Sequence, residues 1–200
     1  MQTITDIASL EAVYDAAVPT AIEKVATQMT PMYKAWIEAS RFTVLSTVGP
    51  EGTDGTPRGD DGPVVRIVDD TTLLLPDWRG NNRLDALRNI VRDGRVSLMF
   101  MVPGCNNVVR INGTAVLTAD AEITGSFTQS GKHPKTVIVV TLEEMYFQCA
   151  KALMRSKLWA TGDESAAVPT AGQFIKEFKD GFDAIDYDTS YPAGAVERMW

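Results

Sequence analysis

Arg79, Gly80, Asn81, Asn82 and Arg83 are contiguous and stand at the start of a segment in which Leu84, Leu87 and Val91 share one helical face. Guanidinium groups and carboxamides gathered at a helix mouth suit an anion, above all a phosphate. The exposed amides of the first turn and the positive end of the helix dipole converge there. Asn82 is the expected N-cap, with Asp85 three positions on, and Gly94 the expected residue just past the helix end. Two further arginines lie in strand-like sequence, Arg66 in VVRIVDD and Arg110 in VVRINGTA. A long cation among β-branched residues points either to solvent or at a ligand, and a guanidinium fork matches phosphate oxygens bidentately. Arg66, Arg83 and Arg110 are therefore candidates for one phosphate clamp, the alternative being three unrelated surface arginines.

Other chemistries find little to work with. The single histidine, His133 in SGKHPKT, sits beside a proline and two lysines and reads as an exposed loop residue rather than a catalytic base. Cys105 and Cys149 are far apart and, with one histidine, make neither a disulfide framework nor a zinc site, so no metal is expected. No G-x-S-x-G elbow, H-E-x-x-H helix, G-x-x-x-x-G-K-[ST] loop or strand-to-helix G-x-G-x-x-G occurs. Hydrolytic chemistry and a Rossmann nucleotide site are accordingly disfavoured.

The elements that must position the arginines follow from periodicity. Residues 1–40 read as helical, with Ser9 as an expected N-cap, a second helix in TAIEKVATQM after Pro19, and a third in MYKAWIEAS after Pro31. From Arg41 the texture turns to β: RFTVLSTV, a glycine-rich loop GPEGTDGTPRGDDG, then PVVRIVDD and TTLLLPD joined by a tight turn. After the helix mouth come the strands RVSLMFMV, VVRINGTAVLTAD and KTVIVVTL, followed by an expected helix EEMYFQCAKALMRSKLW and another in PTAGQFIKEFKDGF. Short, mostly antiparallel strands with tight connections predict a small barrel, not a parallel doubly wound sheet.

Length and charge bound the rest. Two hundred residues, 44% hydrophobic, suit one domain spanning 1–200. A net charge of −7 argues against nucleic-acid binding. That charge is uneven: residues 161–200 carry eight acidic against three basic side chains, whereas Arg79 to Arg110 hold six arginines against two aspartates. A basic site in an acidic protein fits a small anionic ligand. No apolar run is long enough to span a bilayer, and Met1–Leu10 lacks the features of a secretory signal, so a cytoplasmic protein without membrane contact is expected.

The stretches FTVLSTVGPEGTDGTPRGD, VRIVDDTTLLLPDWRGNNRLDALRNI, VSLMFMVPG, VVRINGTAVLTAD and CAKALMRSKLW, taken in order, resemble the pyridoxamine-phosphate-oxidase-like FMN-binding split-barrel proteins. The resemblance covers residues 41–160 and implies a mainly β fold, a split barrel, with helical extensions at 1–40 and 161–200. It further implies FMN held at a homodimer interface. Carried over by position, Arg66 is the strand arginine of the phosphate site, Asn82 and Arg83 the helix-mouth pair, and Arg110 the arginine of an R-x-x-G strand. Pro76 and Asp77 lie where the chain approaches the ribityl and ring system, and Trp78 and Trp159 are candidates for an apolar slot around the ring. Arg58 and Asp60 of the glycine-rich loop are candidate contacts to a second substrate. The resemblance also has limits. Thr71 stands where the oxidases place a lysine, and the acidic tail DAIDYDTSYPAGAVERMW lacks their arginine-leucine-proline pattern. A second phosphate site is not visible, and pyridoxamine phosphate is not the expected substrate. The leading expectation is an FMN-dependent oxidoreductase. Its rivals are a noncatalytic flavin or haem binding or sensing protein on the same barrel, with His133 as the only histidine available to haem, and a barrel with no cofactor.

Overall fold

The computed structural model describes residues 1–200. Strands β1 (Phe42–Gly49), β2 (Gly52–Gly59), β3 (Arg66–Ile67), β4 (Thr72–Asp77), β5 (Arg95–Met101), β6 (Val108–Thr118) and β7 (Thr136–Gln148) form one sheet in the order β2-β1-β5-β6-β7-β4-β3. Every neighbouring pair is antiparallel, and β2 and β3 are free edges, so the sheet is an open split barrel. Alternate residues turn inward. Leu45, Leu98, Ile111 and Ile138 are fully buried at its centre, with Leu73, Leu75, Phe100 and Met145 around them. Each such side chain contributes roughly 1.5–3 kcal/mol relative to exposure.

Two helices close this core. Helix α1 (Ile7–Glu11) and helix α2 (Pro19–Glu23) bury nothing, but α3 (Pro31–Ala39), with Pro31 in its first turn and Thr30 as N-cap, buries Ile37 completely. Helix α4 (Asp85–Arg92) buries Ala86, Leu87 and Ile90 and packs on β1 and β6. Its docking is close. Asn89 is buried and donates from Nδ2 to Thr47 Oγ1 at 3.1 Å, and a Cβ on Gly49 would lie 2.2 Å from Asn89 Oδ1. The bare glycine thus lets the helix sit flush on the end of β1, which fixes where the helix mouth opens.

Beyond the sheet, α5 (Ala121–Gly125) is capped by Asp120, and α6 (Lys151–Ser156) follows β7. Helices α7 (Ala171–Phe178) and α8 (Ala184–Glu197) pack on each other as a hairpin: Asp188 accepts from the Gly172 amide at 2.8 Å and from the Thr170 hydroxyl. No helix is long and apolar enough to cross a membrane.

Several local expectations are corrected. The glycine-rich stretch is not a loop: residues 52–59 form β2, paired residue by residue with β1 from Gly49↔Gly52 to Phe42↔Gly59. Ladder hydrogen bonds override composition there, and Pro57 is tolerated because β2 is an edge strand. The strand expected over PVVRIVDD shrinks to Arg66–Ile67. The helix expected from Glu143 does not begin there, because β7 runs on to Gln148 against β6. A register shift at Asn112/Gly113, where a Cβ on Gly113 would lie 2.0 Å from Thr141 O, places a bulge opposite Glu143. Leu142 and Met145, three apart, consequently both face inward, and that spacing imitates a helical period. In TAIEKVATQM only Pro19–Glu23 is helical, since Ala26 is captured in a backbone bridge with Met145. Asp6, not Ser9, caps α1.

Candidate functional site

A cleft of about 1660 Å³ opens beside the mouth of α4. It is wider than the roughly 300–1,000 Å³ of a pocket built for one small ligand. One wall is β2 with Asp60 and Asp61, and the floor includes Val64, Leu75 and Pro76. The loop from Trp78 to Leu84 and the first turn of α4 form the next wall. Residues 132–135 between β6 and β7 and the end of α8 complete it.

The helix mouth has an unusual backbone. Leu84, not Asn82, is the N-cap, and both residues sit in the left-handed region, with φ of 64° and 59°. The Asn81 carboxamide closes an Asx turn by accepting from the Arg83 amide at 3.0 Å. With its amide side chain occupied in this turn and a leucine at the cap position, the loop supplies no side-chain cap to the first turn of α4. The amides of Asp85, Ala86 and Leu87, the first of the helix, thus have no side-chain cap, and these residues line the cleft. Arg79 and Arg83 flank them. Arg83 is exposed and bonded through Nε to the Asp85 carboxylate, while Arg79 has no carboxylate partner.

The opposite wall is held by two polar links. Arg58 Nη1 pairs with Asp77 Oδ1 at 2.9 Å, with only 22% and 16% of the two side chains exposed. Burial pushes the Asp77 carboxyl above its usual value, and the Arg58 charge opposes that rise without cancelling it. Arg58 Nε is buried with no acceptor. Asp60 is fully engaged: Oδ2 accepts from Trp78 Nε1 at 2.7 Å, and Oδ1 accepts from Gln129 Nε2 and the Asp61 amide, each at 2.7 Å. It therefore anchors Trp78, which in turn meets Trp200 edge to face with ring centroids 5.2 Å apart.

The cleft thus gathers Arg58, Asp60, Pro76, Asp77, Asn82 and Arg83 of the residues singled out from sequence. It does not include Arg66 or Arg110 of the same protomer. Arg66 donates from Nη1 and Nη2 to Ser126 Oγ and O at 2.7 and 2.8 Å and stacks over Phe127 at 3.9 Å. Arg110 faces away from the buried Val109 and Ile111, over the Tyr146 ring at 5.4 Å. Trp159 also lies elsewhere, donating to Cys105 O at 2.9 Å. Sequence reasoning missed Lys132, Lys135, Arg198 and Trp200 as cleft residues. The only signal available was the isolation of Arg198 in an acidic tail.

Residues 29–149 match the sequence model of the family described as pyridoxamine 5′-phosphate oxidase. No curated protein matches the chain. Among solved structures, HupZ from Group A Streptococcus shares the fold at 18% identity and a TM-score of 0.50, over 60% of this chain and 98% of that one. A candidate pyridoxamine 5′-phosphate oxidase from Lactobacillus delbrueckii aligns at 19% identity and 0.48, over 60% and 95%. An FMN-binding protein from Syntrophomonas wolfei aligns at 14% identity and 0.44, over 59% and 89%. The family match spans more than half of the sequence, including every strand of the split barrel and the helix mouth: the chain belongs to the pyridoxamine 5′-phosphate oxidase family.

Proposed function

We propose that the protein is a flavoprotein oxidoreductase that holds FMN by its phosphate at the mouth of α4, in a homodimer. The observation that carries this reading is the uncapped first turn of α4, opening into a wide cleft between Arg79 and Arg83. The residues fit the cofactor. A dianionic phosphate supplies the acceptors that the loop withholds from the first amides, and the buried, unpartnered Arg58 Nε offers a further donor in the same cleft. Bound FMN supplies hydride or electron transfer at its ring N5.

The chain's own residues bind, orient and shield. Asn81 and the left-handed residues at 82 and 84 shape the turn that leaves the helix uncapped, Arg79 and Arg83 supply charge, and the Arg58–Asp77 pair stiffens the wall nearest Pro76. Trp78, fixed by Asp60, lends an apolar surface for a planar ring. Arg110, on the outward face of the sheet, is the cation a second copy is proposed to meet, whereas Arg66 already has its hydrogen bonds within the protomer.

A second reading, haem held without catalysis, is favoured by His133. Its Nδ1 lies 2.6 Å from the Phe127 carbonyl, which can only accept, so Nδ1 donates there and Nε2 is the ring nitrogen left for a ligand at a residue that lines the cleft. One experiment separates the readings: the visible spectrum of the purified protein, repeated on the supernatant after denaturation and after adding FMN or haem. Flavin bands and FMN-dependent oxidation of reduced nicotinamide support the oxidoreductase. A Soret band lost in His133→Ala supports the alternative, and a colourless protein that takes up neither overturns both.

A further inference from the structure

The first 23 residues stand apart from the rest of the fold. Every one of them is exposed, although the segment carries Ile7, Leu10, Tyr14, Val18 and Ile22, from 42% exposed at Leu10 to 72% at Tyr14. Its two helices, α1 and α2, have five residues each and bury nothing. An isolated helix in water is marginal below about 12–15 residues, so such turns take their order from packing. Ile7, Leu10 and Tyr14, spaced i, i+3 and i+7, make an apolar stripe that only a covering surface completes. The charge of the arm says what kind of surface. Residues 1–23 hold Asp6, Glu11, Asp15 and Glu23 and no lysine or arginine, and none of these carboxylates is in an ion pair. An anionic lipid surface repels such a segment, and a basic apolar one attracts it.

The chain itself holds that surface. From Cys149 to Gly162, the stretch that contains α6, it has Lys151, Arg155 and Lys157 and no acid. None of the three is in an ion pair, and the next carboxylate, Asp163, is committed to the Ser165 amide at 2.8 Å. Helix α6 also buries nothing. Beside it a groove of about 340 Å³ opens against the β5–β6 turn, walled by Leu153, Met154, Trp159 and Ala160, with Lys157 among its lining residues. Trp159 is fixed there by donating from Nε1 to Cys105 O at 2.9 Å. The arm is rooted near the same end of the sheet: Ala26 exchanges backbone hydrogen bonds with Met145 at 2.9 and 2.7 Å, Lys24 lies 4.3 Å over the Phe147 ring, and β7 ends at Gln148 just before α6. Within one protomer the arm and α6 nevertheless each bury nothing, so the complementary pair is not made in a single chain. We infer that the arm of one copy docks along α6 of a second copy, its apolar stripe on Leu153, Met154 and Trp159 and its carboxylates against Lys151, Arg155 and Lys157, and that the exchange is reciprocal about a two-fold axis. This goes beyond the FMN reading: it names a contact between copies and uses neither the cofactor nor the cleft.

The test is a charge swap in the full chain, read by sedimentation velocity and native mass spectrometry. One variant combines Glu11→Lys, Asp15→Lys and Glu23→Lys; the other combines Lys151→Glu, Arg155→Glu and Lys157→Glu. Each alone places like charges across both arm contacts and should raise the dissociation constant of the dimer about tenfold or more, an effect that shrinks as salt rises. Mixed in equal amounts, the two variants should pair with each other at wild-type strength, because both contacts of the mixed dimer again join opposite charges. An arm that docks on its own protomer gains nothing from mixing, so failure of the mixture to form heterodimers overturns the inference, as does a wild-type chain that stays monomeric or association indifferent to both swaps. Hydrogen exchange gives a second measure independent of the variants: amides of residues 8–12 and 21–25 should be protected in the dimer and exchange freely on dilution, and free exchange in the dimer also overturns the docking. The association is followed with and without added FMN. A chain that takes up no FMN yet pairs by charge in this way loses the flavin reading and keeps the arm exchange.

Discussion

Asp85→Asn should move stability and FMN affinity in opposite directions. Asp85 lies in the first turn of α4, where a carboxylate interacts favourably with the helix dipole by about 0.3–1 kcal/mol. It also holds Arg83 in an ion pair whose side chains are 79% and 40% exposed, a geometry worth about 0.2–1 kcal/mol. Losing both should cost roughly 0.5–2 kcal/mol of folding free energy. For the ligand the sign reverses. Arg83 must leave Asp85 before it can meet a phosphate, and the carboxylate itself repels an anion at the same helix end. Removing it should lower the FMN Kd by about two- to fivefold, the equivalent of one exposed pair. Flavin fluorescence quenching at low salt measures the affinity, and urea denaturation of the apoprotein measures the stability. The difference in Kd should shrink at high salt. A weaker FMN complex in Asp85→Asn would show that Asp85 orients Arg83 for the ligand instead of competing with it, and would refute this reasoning.

Gly49→Ala should destabilise the protein by about 2–4 kcal/mol in urea, because the new methyl must displace a buried Asn89 that bonds to Thr47, whereas Gly55→Ala, with open space at its Cβ, should be near neutral. Arg58→Ala and Asp77→Ala should each cost more alone than their separate contacts suggest, and a double-mutant cycle should give a coupling of about 1–3 kcal/mol, since either single change strands a largely buried charge. Asp77 should also shape the pH dependence of stability. Its carboxyl titrates above 3.8 in the folded chain, so its favourable contribution is complete below that pH and is lost as pH rises through the folded value. Wild type should therefore lose stability relative to Asp77→Asn on going from acid to neutral pH, and a flat difference would contradict the burial of this group. In the proposed homodimer, dilution should release FMN in step with dissociation seen by sedimentation; a monomer retaining full affinity would remove the second copy from the site.

Strands whose inward positions alternate strictly, such as β1 and β5, were legible in the sequence because one-sided burial leaves a period-two trace. β2 left no such trace: it is a polar edge strand whose only reason to be extended is the ladder offered by β1. The second half of β7 was misleading for a different reason, since the bulge near Gly113 converts a strand pattern into a three-residue spacing. At the site, the helix mouth could be read because its cations and amides are contiguous in the chain. The cap could not, because Asn81, Asn82 and Leu84 share a turn whose left-handed residues compositional preference does not single out. The contact of Lys132 with the Glu197 carbonyl was invisible, being made only through the way α8 returns to the barrel.

That return gives the molecule two tiers of cooperativity. Helices α7 and α8 hold each other through Asp188, yet they meet the barrel chiefly at the rim of the cleft, where Trp200 rests on Trp78. Detaching the hairpin exposes far less apolar surface than unfolding the sheet, so it should swing away as a unit at a free energy well below that of global denaturation. Two indoles at this separation and angle couple their transitions, and the resulting exciton signal in circular dichroism vanishes when they part. The chain therefore carries its own optical gauge of a partial opening, readable while amide exchange from β1, β5 and β6 remains slow.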